Sequence, residues 1–196
     1  MIAGHFGFAA IVKSREPRVP LWSLMLACQW MDIVFVPLFA LGIERIVPVA
    51  GAGSHVGYGE GVIYADYTHS LLGALVLAAV YGLVTGWRWG QRNGVVLSAV
   101  VFSHWVLDLV VHHADMPILP GNAGNLPRLG FCLWSAPAAS AAVELLLVVV
   151  GTYLYWRAAS RALRDAGEHT TKRATRVAAL MLVSGLVTLV LNLVGL

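Results

Sequence analysis

Residues 94–113 read GVVLSAVVFSHWVLDLVVHH, and this stretch decides the fold class. At ~1.5 Å of rise per residue, an apolar run of that length suffices to cross a bilayer as an α-helix. Yet it carries His104, Asp108 and His112 at i, i+4 and i+8. Helical spacing places these three on one face, a turn apart. Ionisable groups inside a span are expensive and mark ion, proton or substrate sites. The segment therefore predicts both a membrane helix and a functional centre.

The rest of the chain agrees with the first half of that reading. Of 196 residues, 59% are hydrophobic and 12% charged, about half the ~25% charged content of an ordinary soluble domain. Mean hydropathy is +0.76. A soluble enzyme is excluded, since a water-soluble fold of this size could not hide so much apolar surface. The net charge of +3 does not imply nucleic acid, because the basic residues occupy short connections between apolar runs and read as an orientation signal. Cys28 and Cys132 do not make a disulfide framework and read as small hydrophobes.

Five segments are long and apolar enough to span: 21–43, 67–87, 94–113, 133–156 and 174–196. The run Met1–Val12 is too short to cross and lacks the basic start and cleavage site of a signal peptide. It is expected as a half-helix packed inside the bundle or re-entering it. The prediction is all-α: one integral membrane domain over residues 1–196, a polytopic bundle of about five transmembrane helices plus that half-helix. Connections lie at Pro17–Pro20, Pro48–Gly61 and Pro117–Pro127. Of 13 basic residues, 11 fall in the segments before span one, between spans two and three, and between spans four and five. The positive-inside rule puts those segments in the cytoplasm, with the 44–66 and 114–132 loops and the C-terminus outside.

Other spans also carry polar groups. Asp32 lies in the first, Glu144 in the fourth, His5 in the N-terminal run, and Asp66 with His69 at the start of the second. Counting from each cytoplasmic flank at ~1.5 Å per residue puts His5 ~12 Å up and Asp32, His104, Glu144 and Asp108 at ~15–21 Å; His69 comes to ~27 Å. Four segments place an acid or histidine at similar depth in a core of ~30 Å, where they are expected to converge. Imidazole and carboxylate at i and i+4 can grip one ion, a ligand set suited to Zn, with Mn or Fe as alternatives. The competing reading of the pair is a hydrogen bond locking helices. His112 shares the face of His104 and joins the metal candidates, although at the outer interface it can simply be solvated. Asp66, one turn before His69, is expected to orient it. Asp115 extends the stripe of Asp108 only if the helix runs past Pro117's approach. His55, His113 and His169 read as surface residues, and Asn192 as an interhelical hydrogen bond.

The order Gly4-His5, Asp32, Tyr67-Thr68-His69-Ser70-Leu71-Leu72 and Ser103-His104-Trp105-Val106-Leu107-Asp108 resembles the bacterial membrane-bound metal-dependent hydrolases, which include an SOS-regulated inner-membrane branch. Leu133-Trp134-Ser135 followed by Glu144 and Tyr153 is similar to a poorly characterised subgroup. The likeness runs through about Trp156. It implies His5, Asp32, His69, His104 and Asp108 as metal ligands. The chain departs from the SOS-regulated branch at Met31-Asp32-Ile33, where that branch has an acidic pair with a proline, and at Tyr64-Ala65-Asp66-Tyr67, where it has His-Arg-Gly.

The function expected is a membrane-embedded hydrolase in the bacterial inner membrane. It would act through a metal-activated water on a lipid-linked or amphipathic ester, phosphoester or amide, with Glu144 or Asp66 in the catalytic base or supporting role. A transporter using the same cluster as a cation or proton relay, or a non-catalytic metal-stabilised scaffold, are the alternatives. Against a carrier, no paired broken spans recur in two halves of the chain.

Overall fold

A computed structural model describes residues 1–48 and 61–194. It is an all-α bundle with one small hairpin: α1 (Ile2–Arg15), α2 (Leu21–Cys28), α3 (Trp30–Ala40), β1 (Arg45–Pro48), β2 (Gly61–Tyr64), α4 (Leu71–Trp89), α5 (Gln91–Val111), α6 (Pro137–Asp165) and α7 (Lys172–Val194). Helices α4 to α7 are each long and apolar enough to cross a membrane, and α2 with α3 makes a fifth crossing if the bent pair is one span. Their outward faces carry Leu72, Val76, Leu83 and Trp87 on α4 and Leu180, Val187 and Val190 on α7, all exposed. Side chains of that kind suit contact with hydrocarbon.

Helix α1 lies inside the bundle, with Ala3, Gly4, His5, Gly7, Ala9 and Ala10 buried. It packs on α6 through two glycines. A Cβ on Gly151 would collide with the Gly7 carbonyl oxygen, and one on Gly7 with the Leu147 backbone. Backbone contact that close requires residues without side chains. The N-terminal run is thus a short interior helix, as its length predicts.

Several bounds differ from the sequence reading, and four departures have a local reason. The first span is broken: α2 and α3 meet at Gln29 with a bend of 46°. His104 Nδ1 lies 2.7 Å from the Cys28 carbonyl oxygen at that break, so a side chain has entered the helical ladder. The second span opens at Leu71 instead of residue 67, because Ser70 caps the helix by accepting from the Gly73 amide at 3.0 Å. The Leu71 and Leu72 amides donate to the Pro117 and Ile118 carbonyls. The fourth helix begins at Pro137, whose missing N–H suits a first turn, and runs on to Asp165; Leu133–Ser135 is a separate 3₁₀ turn. Finally, the 44–66 connection contains the antiparallel β1–β2 pair, with Arg45 opposite Tyr64 and Val47 opposite Val62. His55 and the last two residues fall outside the described residues.

Candidate metal centre

Helix α5 supplies the frame. His104 and Asp108 project from one face of it as their spacing predicts, His112 follows as its C-cap, and all three are buried. Trp105, on the adjoining face, donates from Nε1 to the His69 carbonyl at 2.9 Å. That bond ties the turn before α4 to α5 and brings His69 to the same place.

Asp108 is the hub. Its Oδ2 lies 3.0 Å from His104 Nε2, 3.6 Å from His69 Nε2 and 3.8 Å from His112 Nε2. Its Oδ1 lies 3.0 Å from His5 Nε2. Asp32 approaches from α3, with Oδ1 3.5 Å from both His69 Nε2 and His104 Nε2. Among the described residues two groups have ligand atoms close enough for one ion, His5–His104–Asp108 and Asp32–His69–His104. The five residues expected from depth and resemblance therefore do meet.

The far side of each ring decides what the near side offers. His104 Nδ1 faces a carbonyl oxygen, which can only accept, so this nitrogen carries the proton. His112 Nδ1 likewise faces the Asp115 carboxylate at 2.9 Å, and Asp115 Oδ2 accepts from the Ile63 amide of β2 at 3.1 Å. His69 Nδ1 contacts the Thr68 hydroxyl at 2.8 Å. Neutral imidazole carries one N–H, so an Nδ1 that donates leaves a lone pair on Nε2. For His104 that lone pair points at carboxylate oxygens with nothing to share: Nε2 is buried and makes no hydrogen bond with any described residue. In a neutral ring that lone pair would face a carboxylate, an arrangement that needs a second ring proton or a cation between the two atoms.

The spacing fits a small divalent ion. Tetrahedral bonds of ~2.0–2.2 Å separate ligand atoms by ~3.3–3.6 Å. Four of the six separations among Asp32 Oδ1, His69 Nε2, His104 Nε2 and Asp108 Oδ2 are 3.0, 3.5, 3.5 and 3.6 Å, and His104 is common to both three-residue groups that can meet at one ion. These buried His and Asp groups could hold a metal ion. His5 differs from the other rings, stacking on His104 with centroids 3.8 Å apart while its Nδ1 has no partner among the described residues. Its Nε2 is suited either to a ligand role or to donating into Asp108 Oδ1.

The centre lies at the floor of a cavity of about 350 Å³. Asp32, His69, Asp108 and His112 line it together with Phe35 and Val36 of α3, Ile46 and Ile63 of the hairpin, Trp134, and Asn192 of α7. The Asp32 side chain is 38% exposed, against 3% for Asp108.

Two expected residues are placed elsewhere. Asp66 does not orient His69; it pairs through both carboxylate oxygens with Arg128, at 2.6 and 3.1 Å. That pairing raises the guanidinium pKa above its ordinary value. Arg128 also donates to the Asp115 carbonyl at 2.7 Å. Glu144 is fully buried on α6, and its Oε2 accepts from the Gly4 amide at 3.1 Å, at the start of α1. Neither Asp66 nor Glu144 belongs to a ligand group or lines the cavity. His112 lines the cavity but stands outside both ligand groups. Glu44, Thr68 and Asp115 act behind the rings; Thr68, adjacent to His69 in a Thr-His pair, and Asp115, on the stripe of Asp108, carry a local signal in the sequence, and Glu44 carries none.

Comparison with protein-family models, curated proteins and solved structures finds no match for this chain.

Proposed function

We propose that this chain is a hydrolase of the bacterial inner membrane, with a divalent cation, zinc first, held by Asp32, His69, His104 and Asp108, and His5 supporting Asp108. The observation that carries the reading is the set of Nε2 atoms turned onto two carboxylates at 3.0–3.6 Å, beside a cavity with apolar walls. When bound, such a cation would polarise a carbonyl or phosphoryl oxygen and lower the pKa of a bound water to about 7.

The protein's own groups do the rest. Asp32 is the more exposed of the two carboxylates that line the cavity and is the one placed to take a proton from a water there. Phe35, Val36, Ile46, Ile63 and Trp134 hold the apolar part of the substrate and keep bulk water out. A lipid-linked or amphipathic ester, phosphoester or amide fits walls of that kind, arriving from the bilayer. Basic connections lie in the cytoplasm, the cavity opens in the outer half of the membrane, and the C-terminus is outside.

The test uses purified full-length protein in detergent, wild type beside His104→Ala. Wild type binds one or more zinc equivalents by elemental analysis and hydrolyses members of a lipid-ester and phosphoester panel; the variant does neither. Metal binding with cation flux across liposomes but no hydrolysis overturns the reading in favour of a transporter. Metal binding with neither activity leaves a scaffold, and a wild type without metal overturns the site. A reporter fused after residue 196 checks the orientation and reads as external.

A further inference from the structure

Behind His69, on the side away from the cavity, lies a second layer that the proposed chemistry does not use. Glu44 sits just before β1 and is completely buried. Its Oε1 accepts from the backbone amides of Tyr67 at 2.9 Å and Thr68 at 2.8 Å. Thr68 Oγ1 lies 3.0 and 2.9 Å from the two carboxylate oxygens, and 2.8 Å from His69 Nδ1.

We infer that Glu44 is a positioning residue that acts through the Thr68 hydroxyl to hold His69 as its Nδ1–H tautomer, with Nε2 free to bind a cation. The assignment follows from proton counting. As a carboxylate Glu44 offers only acceptors, and a threonine hydroxyl has one proton. Thr68 therefore donates that proton to Glu44 and can only accept from His69. The His69 proton is thereby fixed on Nδ1, and its lone pair is fixed on Nε2, facing Asp32 and Asp108. Outer partners that orient a ligating histidine typically contribute 10–100-fold to metal affinity. The Glu44 carboxylate also receives the two amides that shape the 67–70 turn, so the same group sets both the position of His69 and its tautomer.

This inference rests on the cation site proposed above, and two readouts separate their failures. Full-length protein in nanodiscs, labelled with ¹⁵N-histidine, reports the tautomer without metal, with the His69 signals identified by their loss in His69→Gln. Zinc titration against a competing chelator reports affinity. In wild type His69 carries its proton on Nδ1. In Thr68→Val the shape is kept and the hydroxyl lost; the proton moves to Nε2 and zinc binds 10–100-fold more weakly. Thr68→Ser restores both. Should Thr68→Val not fold, Glu44→Gln takes its place: its amide can donate to Thr68, freeing the hydroxyl proton, and the His69 tautomer becomes mixed with weaker zinc binding. A wild-type His69 protonated on Nε2, or unchanged tautomer and affinity in Thr68→Val, overturns the inference. If wild type binds no zinc but Thr68→Val still shifts the tautomer, the relay stands and the cation site falls.

Discussion

Asp108 Oδ2 and His104 Nε2 lie 3.0 Å apart on successive turns of α5, while the other ring nitrogen, Nδ1, donates to the Cys28 carbonyl. A contact that short between these two buried groups needs either a second ring proton or a cation against both. Asp108→Asn tests this with almost no change of shape. We expect roughly 100-fold or greater loss of zinc affinity, beyond the 10–100-fold typical of outer partners, with loss of hydrolysis and retained folding, read by elemental analysis and circular dichroism. Zinc content equal to wild type would remove Asp108 from the ligand set.

Glu144 separates a structural carboxylate from a chemical one. Its Oε2 receives the Gly4 amide at the positive end of α1. Glu144→Gln keeps an acceptor there, so zinc content should be unchanged and stability should fall by about 0.3–2 kcal/mol for the lost charge. Glu144→Leu leaves a buried amide unpaired and should cost about 1–3 kcal/mol. Thermal unfolding in detergent compares the two; a Gln variant that folds as wild type yet hydrolyses nothing would restore Glu144 to the chemistry.

Gly151→Val addresses the seat of α1. The added side chain meets the Gly7 carbonyl and should destabilise by about 1–3 kcal/mol, as overpacked cores do. Because α1 carries His5, the variant should also disturb the His5–Asp108 contact. A cysteine pair reporting the α1–α6 distance should show the helices moving apart.

Arg128→Ala removes the bidentate pair with Asp66, whose groups are each 22% exposed. Its cost should be about 1–2 kcal/mol, between a surface pair and a hydrogen bond to a charged group. Since Asp66 raises the Arg128 pKa, the arginine's contribution is present at any pH below its ordinary pKa, and the loss should be the same at pH 6 and pH 9. Zinc content should not change, which distinguishes Asp66 from the ligands.

The parts of this centre that could be read beforehand are those governed by one helix or by depth. His104, Asp108 and His112 follow from a period, and His5 and Asp32 from distance to a charged flank. Residues placed by tertiary contact could not be read in this way. The Gln29 break has no glycine or proline to announce it, since its partner is a histidine 76 residues away. Asp66 is a companion of His69 only under helical spacing, and residues 66–69 form a turn; α4 starts only at Leu71. Glu44 stands just beyond an apolar run, where a solvated acid is ordinary, and only the hairpin's fold buries it. The hairpin itself is two four-residue strands too short to show alternation.

The short interior helix also bears on how the protein is made. At 14 residues, α1 spans ~21 Å, too little to be retained by a bilayer as a crossing. It leaves the ribosome before the helix it docks on, with Gly4 and Glu144 separated by 140 positions. Chains are synthesised at ~5–20 residues per second, so α1 must wait several seconds beside the translocation machinery for α6. Docking of α1 through Gly7 on Gly151 can follow only the synthesis of α6, whereas the His5 contacts with His104 and Asp108 need only α5. The helix that carries His5 is therefore seated by a part of the chain made after its site partners.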